Sequence, residues 1–202
     1  MLDNSITDRS AARREATKAE ILDAAWEIVR AEGLAALSLR DLARKVGMRA
    51  PSLYQYFDSK HAIYDAMFAQ GNRELLERYG RLGPSGDAVR DLRAGARLFV
   101  EFSAEDPARY QLLFQRTIPG FEPSPGSYAI AVEILELGRG RLAAAGFTDQ
   151  QALDLYTGMV AGLAAQQTAN EPGGTRWIRL VDEAVEMYVN HMTRVTKPRS
   201  RK

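Results

Sequence analysis

Residues 38–60 read SLRDLARKVGMRAPSLYQYFDSK, and they gather the side chains with most chemistry to offer. Ser52, Tyr54, Gln55 and Tyr56 supply hydroxyls and an amide at close spacing. Such groups bond phosphates and base edges without a large desolvation cost, and a tyrosine ring lies well against a thymine methyl or a sugar. Five cations accompany them (Arg40, Arg44, Lys45, Arg49, Lys60) against two acids (Asp41, Asp58), a local balance of +3. The whole chain hides this patch, because 27 Lys and Arg stand against 26 Asp and Glu.

These side chains need elements to hold them. Ser38 is an N-cap candidate with Asp41 three residues on, resembling a capping box. Leu39, Leu42, Ala43 and Val46 follow helical spacing, so one face is buried while Arg40, Arg44 and Lys45 point away. Gly47 closes that helix in a left-handed conformation. Pro51 suits the first turn of another, where its missing N–H has no helical partner. Leu53 and Phe57, four apart, pack back onto the preceding helix and leave Ser52, Tyr54, Gln55 and Tyr56 outward. Two short helices joined by a tight glycine turn form a helix-turn-helix, whose second helix enters a DNA major groove. Lys60 opens the next helix, where a cation and free N–H groups clasp a phosphate.

At these residues the chain resembles the TetR family of transcriptional regulators. The resemblance rests on a helix at 17–32, the SLRDLARKVG and PSLYQYFDSK blocks, and the amphipathic helix that follows. It is strong over about 15–70, and beyond that rests on size and helix order. It implies that Ser38 meets a phosphate and that Arg40 reaches a base or phosphate. It places Pro51, Ser52 and Tyr54 on the recognition helix, Tyr56 toward a flanking phosphate, and Lys60 on the DNA backbone. The chain departs from the family in having Tyr56 where histidine is frequent and Ala50 where a polar base reader can sit, which shifts weight to Arg49 and Gln55. Arg9, Arg13, Arg14 and Lys18, at the start of the 17–32 helix and before it, read either as a flexible N-terminal arm touching DNA or as a solubilising tail. Arg194, Lys197, Arg199, Arg201 and Lys202 form a basic C-terminal tail.

The rest of the chain is helical by periodicity, with no sustained two-residue alternation. Breaks fall at GRLGPSG (80–86), TIPGFEPSPGS (117–127) and EPGG (171–174). About nine helices are expected in an all-α fold, with a helix-turn-helix domain at 1–60 and a helical ligand-binding and dimerisation domain at 61–202. Resemblance to the family implies a small-molecule pocket, with Phe99, Phe102, Tyr110, Phe114, Tyr128, Tyr156, Met159 and Leu163 as lining candidates. Their composition suits an apolar or aromatic effector. It also implies a homodimer through the last two helices, with Gly158, Gly162, Ala165, Ile178, Val181, Val185, Tyr188 and Met192 as interface candidates. A dimer would set two recognition helices on pseudo-palindromic double-stranded DNA.

Composition narrows the alternatives. Cysteine is absent, which removes disulfides, thiolate metal sites and thiol nucleophiles together. Two histidines, His61 and His191, are too few for a histidine-rich metal centre. The longest uncharged stretch, Leu155–Asn170, is too polar and short to span a bilayer, and the N-terminal residues lack a signal-peptide core, so a cytoplasmic location is expected. Glu101, Glu105, Asp106, Arg109 and His191 offer acid–base groups to a helical enzyme or carrier, but at no recognised catalytic spacing. The expected activity is therefore transcription regulation, most often repression relieved by a small molecule. No enzyme activity, cofactor or metal is expected. A helical small-molecule-binding protein or enzyme without DNA binding, or a ligand-independent activator, is the competing reading.

Overall fold

Polar caps and glycines set the helix ends. Asp87 accepts the N–H groups of Val89 and Arg90 at the start of one helix, and Asp149 accepts that of Ala152 at the start of another. The computed structural model describes residues 3–196. Among them are α1 (Asp3–Glu32), a 3-10 turn (Leu34–Ala36), α2 (Leu39–Lys45), α3 (Ala50–Leu53) and α4 (Lys60–Arg81). There follow α5 (Ala88–Glu105), α6 (Pro107–Phe114), α7 (Pro125–Ala144), α8 (Gln150–Asn170), a second 3-10 turn (Ile178–Leu180) and α9 (Val181–Thr196). The fold is all-α, with an N-terminal helix-turn-helix and a C-terminal helical part.

One expectation is corrected at the start. The basic residues Arg9, Arg13, Arg14 and Lys18 are not a flexible arm preceding the first helix but part of it, because α1 begins at Asp3. Residues 3–16 lack an apolar stripe, so core periodicity starts later than the helix does. Lys197, Arg199, Arg201 and Lys202 lie outside the described residues.

The chain forms two compact units. The first runs to Gly71 and includes Gln111–Tyr128; the second comprises Asn72–Tyr110 and the chain from Ala129 onward. In the first, Ile21, Ala25 and Val29 of α1 are buried with Leu37, Leu42, Leu53 and Ile63. The Trp26 indole N–H donates to Gln70 at 2.7 Å, and the buried Tyr64 hydroxyl donates to the Leu34 carbonyl. Asp65 accepts the backbone N–H and hydroxyl of Ser124 and the hydroxyl of Ser127, all within 2.9 Å, which fastens the start of α7.

The second unit is built on α5, α8 and α9. Leu92, Ala96 and Val100 of α5 meet Ala152, Tyr156, Val160 and Ala164 of α8 and Val181 and Val185 of α9 in one buried cluster. Two tyrosines cross-brace it: Tyr156 donates to the Leu92 carbonyl at 2.7 Å and Tyr188 to the Ala152 carbonyl at 2.9 Å. Gln167, wholly buried, bonds the Glu171 carbonyl and the N–H groups of Trp177 and Ile178, pinning the turn between α8 and α9.

This packing corrects the interface assignment on α9. Val181 and Val185 are 0% exposed, and Tyr188 and Met192 are also buried within the chain. That stripe is the intrachain core face, so it has no surface left for a second copy. Gly158 and Gly162 are exposed, and Ala165 and Ile178 are half-buried.

Candidate nucleic-acid interface

The helix-turn-helix is assembled from local rules. The Ser38 hydroxyl oxygen accepts the Asp41 N–H at 3.1 Å, and its O–H donates to the Asp41 carboxylate at 2.6 Å. This fixes where α2 begins. At the other end the Gly47 N–H bonds the Arg44 carbonyl at 3.2 Å and the Met48 N–H bonds the Ala43 carbonyl at 2.8 Å. This pair of bonds is a Schellman closure, and it requires a left-handed residue; Gly47 has φ 68°. The chain reverses, Arg49 serves as N-cap in an extended conformation, and α3 begins with Pro51 in its first turn.

On α3 the two sides of the chain diverge. Leu53 is 1% exposed and Phe57 is 7% exposed, both packed inward. Tyr54, between them, is 52% exposed. Ser52 and Tyr56 are half-buried, and Pro51 and Gln55 are exposed. The helical bonds run on past α3 as a turn, with Tyr56 N–H on the Leu53 carbonyl at 2.9 Å and Phe57 N–H on the same carbonyl at 3.0 Å. The surface therefore carries a short ridge of hydroxyl and amide groups on an apolar base.

The cations around it differ. The Arg40 and Arg49 side chains are exposed, with no ion pair or side-chain hydrogen bond among the described residues. Arg44 is paired with Asp41 at 2.7 Å and Lys45 with Glu27 at 2.8 Å, both as solvated surface pairs of small worth. The Lys45 ammonium holds the Glu27 carboxyl below its usual range. Lys60 is occupied within the protein: it donates to the Ala35 carbonyl at 3.1 Å and lies 5.4 Å from the Tyr64 ring centroid. Contact between Lys60 and a phosphate would require it to exchange one acceptor for another. Sequence reasoning missed the specific place of Arg14. It donates to the Gln55 carbonyl at 2.6 Å and lies 5.2 Å over the Tyr56 ring. Its signal was the helical spacing of seven residues to Ile21.

The other candidates are not gathered in one place. Tyr110 and Tyr156 belong to the second unit's buried cluster, and Phe99, Met159 and Leu163 pack against it half-buried. Phe102 is buried under the Arg109 guanidinium, 3.6 Å from its ring centroid. Phe114 and Tyr128, 38% and 57% exposed, fall in the first unit. The acid–base groups also disperse. Arg109 pairs with Glu74 at 2.7 Å and Glu105 at 3.4 Å, Glu101 lies 3.9 Å from Arg97, and His191 is exposed. Among the described residues no three His, Asp or Glu side chains form a metal-binding group, and no helix is long and apolar enough to cross a membrane.

Comparison with known proteins agrees with this geometry. Residues 21–67 match the family described as bacterial regulatory proteins, tetR family. Over 88 residues the chain is 33% identical to the HTH-type transcriptional repressor KstR2 of Rhodococcus jostii, covering 44% of this chain and 42% of that protein. The chain spans about half the length or less of the curated relatives it matches. The fold extends further. The crystal structure of the regulatory protein SCO4313 superposes with a TM-score of 0.76 at 23% identity, covering 89% of this chain and 98% of that one. The regulator FadR of Bacillus subtilis, solved in complex with stearoyl-CoA, superposes with a TM-score of 0.64 at 17% identity, covering 84% and 96%. Over its N-terminal helices the chain thus matches the model of the tetR family of bacterial regulatory proteins, and over most of its length it shares the fold of solved regulators.

Proposed function

We propose that this protein is a homodimeric transcription regulator, a repressor that leaves its operator when a small apolar molecule binds. The observation that carries the reading is the contrast on α3. Leu53 is sealed while Tyr54, beside it, is 52% exposed among Ser52, Gln55 and unpaired cations. Buried apolar residues fix the helix, and the exposed polar ones are free to bond base edges and phosphates. Ser38, Arg40, Arg49, Pro51, Ser52, Tyr54, Gln55, Tyr56 and Lys60 form this proposed DNA surface.

A second copy is proposed to cover the outward faces of α8 and α9. Leu155, Gly158 and Gly162 follow helical spacing on α8, and Leu180, Met187 and Val195 are exposed apolar groups on the α9 side. Met187 is 66% and Val195 62% exposed, an arrangement that costs less when covered by another apolar face. A dimer supplies two recognition helices for a pseudo-palindromic site.

The effector is proposed to bind in the second unit, against the half-buried Phe99, Met159 and Leu163 and the buried Tyr110 and Tyr156. The stearoyl-CoA complex of FadR supports an apolar effector by analogy of fold. Release follows if the effector prefers a state whose recognition helices no longer match successive major grooves. Footprinting on the DNA flanking its own gene tests the reading. A protected, symmetric segment that weakens as salt rises supports it, and no protection at low salt overturns it.

A further inference from the structure

α1 begins about five turns before its core stripe does, since it starts at Asp3 and its first buried residue among those described is Ile21. Arg14 stands seven residues before Ile21, and seven residues is close to two helical turns, so Arg14 continues the face that Ile21, Ala25 and Ile28 bury. At that height the helix has passed the apolar core and meets the end of α3 instead.

The end of α3 needs a partner there. α3 has four residues, and the backbone bonds of its continuation end on the Ala50, Ser52 and Leu53 carbonyls. None of these bonds satisfies the Gln55 carbonyl. The last carbonyls of a helical turn are orphan acceptors, and a cation is favoured beside them. The Arg14 guanidinium fills both needs, with Nη2 2.6 Å from the Gln55 carbonyl oxygen and its carbon 5.2 Å over the Tyr56 ring. One side chain from α1 thus holds the backbone and the ring of the two residues that follow Tyr54.

We propose that Arg14 is a positioning residue for DNA recognition, clamping the Gln55–Tyr56 turn and so fixing the direction in which Tyr54 and Gln55 leave the surface. This rests on the reading that the Tyr54 surface meets DNA. A charged hydrogen bond plus a planar stack on an aromatic ring restricts a turn more than either alone. The restriction matters to base contacts, which demand direction, and little to phosphate attraction, which does not.

Direct phosphate contact and positioning leave different signatures, because each neutralised phosphate contributes about 0.9 to the slope of log affinity against log salt. The full-length protein, Arg14→Ala and Arg14→Lys are titrated by fluorescence anisotropy against the footprinted operator and a random duplex, across a salt series. Positioning predicts that Arg14→Ala binds the operator about tenfold more weakly, as expected for losing one charged hydrogen bond. It also predicts unchanged affinity for the random duplex, which shows the variant folded, and an unchanged salt slope. Arg14→Lys recovers part of the loss, since an ammonium can donate to the carbonyl but cannot lie flat on the ring. Equal weakening on both duplexes with a slope lower by about 0.9 would make Arg14 a phosphate contact and overturn the proposal. No change in operator affinity also overturns it. A wild-type protein that binds neither duplex removes the DNA-binding reading and the proposal with it.

Discussion

Ser38 and Asp41 cap one another at the start of α2, the Asp41 N–H on the Ser38 oxygen at 3.1 Å and the Ser38 hydroxyl on the Asp41 carboxylate at 2.6 Å. The pair sets the first turn of the helix that supports α3. Ser38→Ala removes the cap and leaves the Asp41 N–H to water. We expect a loss of about 1 kcal/mol, read as a lower urea midpoint with an unchanged m-value.

Arg109 is a buried cation among partly exposed acids. It bonds Glu74 at 2.7 Å and the Phe102 carbonyl at 2.9 Å, while its plane lies on the Phe102 ring. Arg109→Ala strips the cover from that ring and leaves Glu74 with Arg78, at 2.7 Å, as its remaining cation; the Glu74 side chain is 43% exposed and can rehydrate the freed oxygen. The expected cost is about 2–3 kcal/mol, less than for a pair buried on both sides. Glu74→Gln is expected to cost about 1 kcal/mol, and a double-mutant cycle in urea measures how much the two share.

Alkali acts on the buried phenols. Burial pushes the Tyr64, Tyr79 and Tyr188 hydroxyls up to about 12, from an ordinary value of 10.0. The unfolded chain loses these protons near 10 while the folded one keeps them to about 12, so between those values the unfolded state binds fewer protons and stability falls as pH rises. Below 10 these groups leave stability unchanged. The slope is about 1.4 kcal/mol per pH unit for each such tyrosine. Urea midpoints at pH 9 to 12 check this. Tyr64→Phe should show a constant deficit at neutral pH, from the lost bond to the Leu34 carbonyl, and a shallower fall above pH 10.

Burial on α9 separates two faces of one helix. Met187→Asp adds a charge to an exposed position and should yield a folded monomer with weaker operator binding, seen by sedimentation and anisotropy. Val185→Asp puts a charge at a position with no exposure and should unfold the second unit. A dimer in Met187→Asp as tight as wild type rejects the proposed interface.

These faces also show how far the sequence could be read. The α2–α3 unit was legible because each end carries its own chemical mark: Ser38 with Asp41, Gly47 and Pro51. The inward turn of Leu53 and Phe57 followed from their spacing alone. α9 was less legible, because Val181, Val185, Tyr188 and Met192 form a regular apolar stripe while Leu180, Met187 and Val195 form a second surface. Spacing identifies a stripe without saying which neighbour covers it. The start of α1 was missed for the opposite reason: residues 3–16 make a helix without apolar periodicity. Arg14 owes its place to a carbonyl 41 residues away, a relation that only the folded chain reveals.

The central claim is that α3 presents Tyr54 to DNA while Leu53 anchors it. Operator titration of Tyr54→Ala beside Leu53→Ala, with thermal melts of both, tests it most directly. The account predicts that Tyr54→Ala melts like wild type and loses at least tenfold in operator affinity, about 1.4 kcal/mol or more. It predicts that Leu53→Ala loses about 2–5 kcal/mol of stability through the cavity it leaves. Wild-type operator affinity in a folded Tyr54→Ala protein would contradict the account.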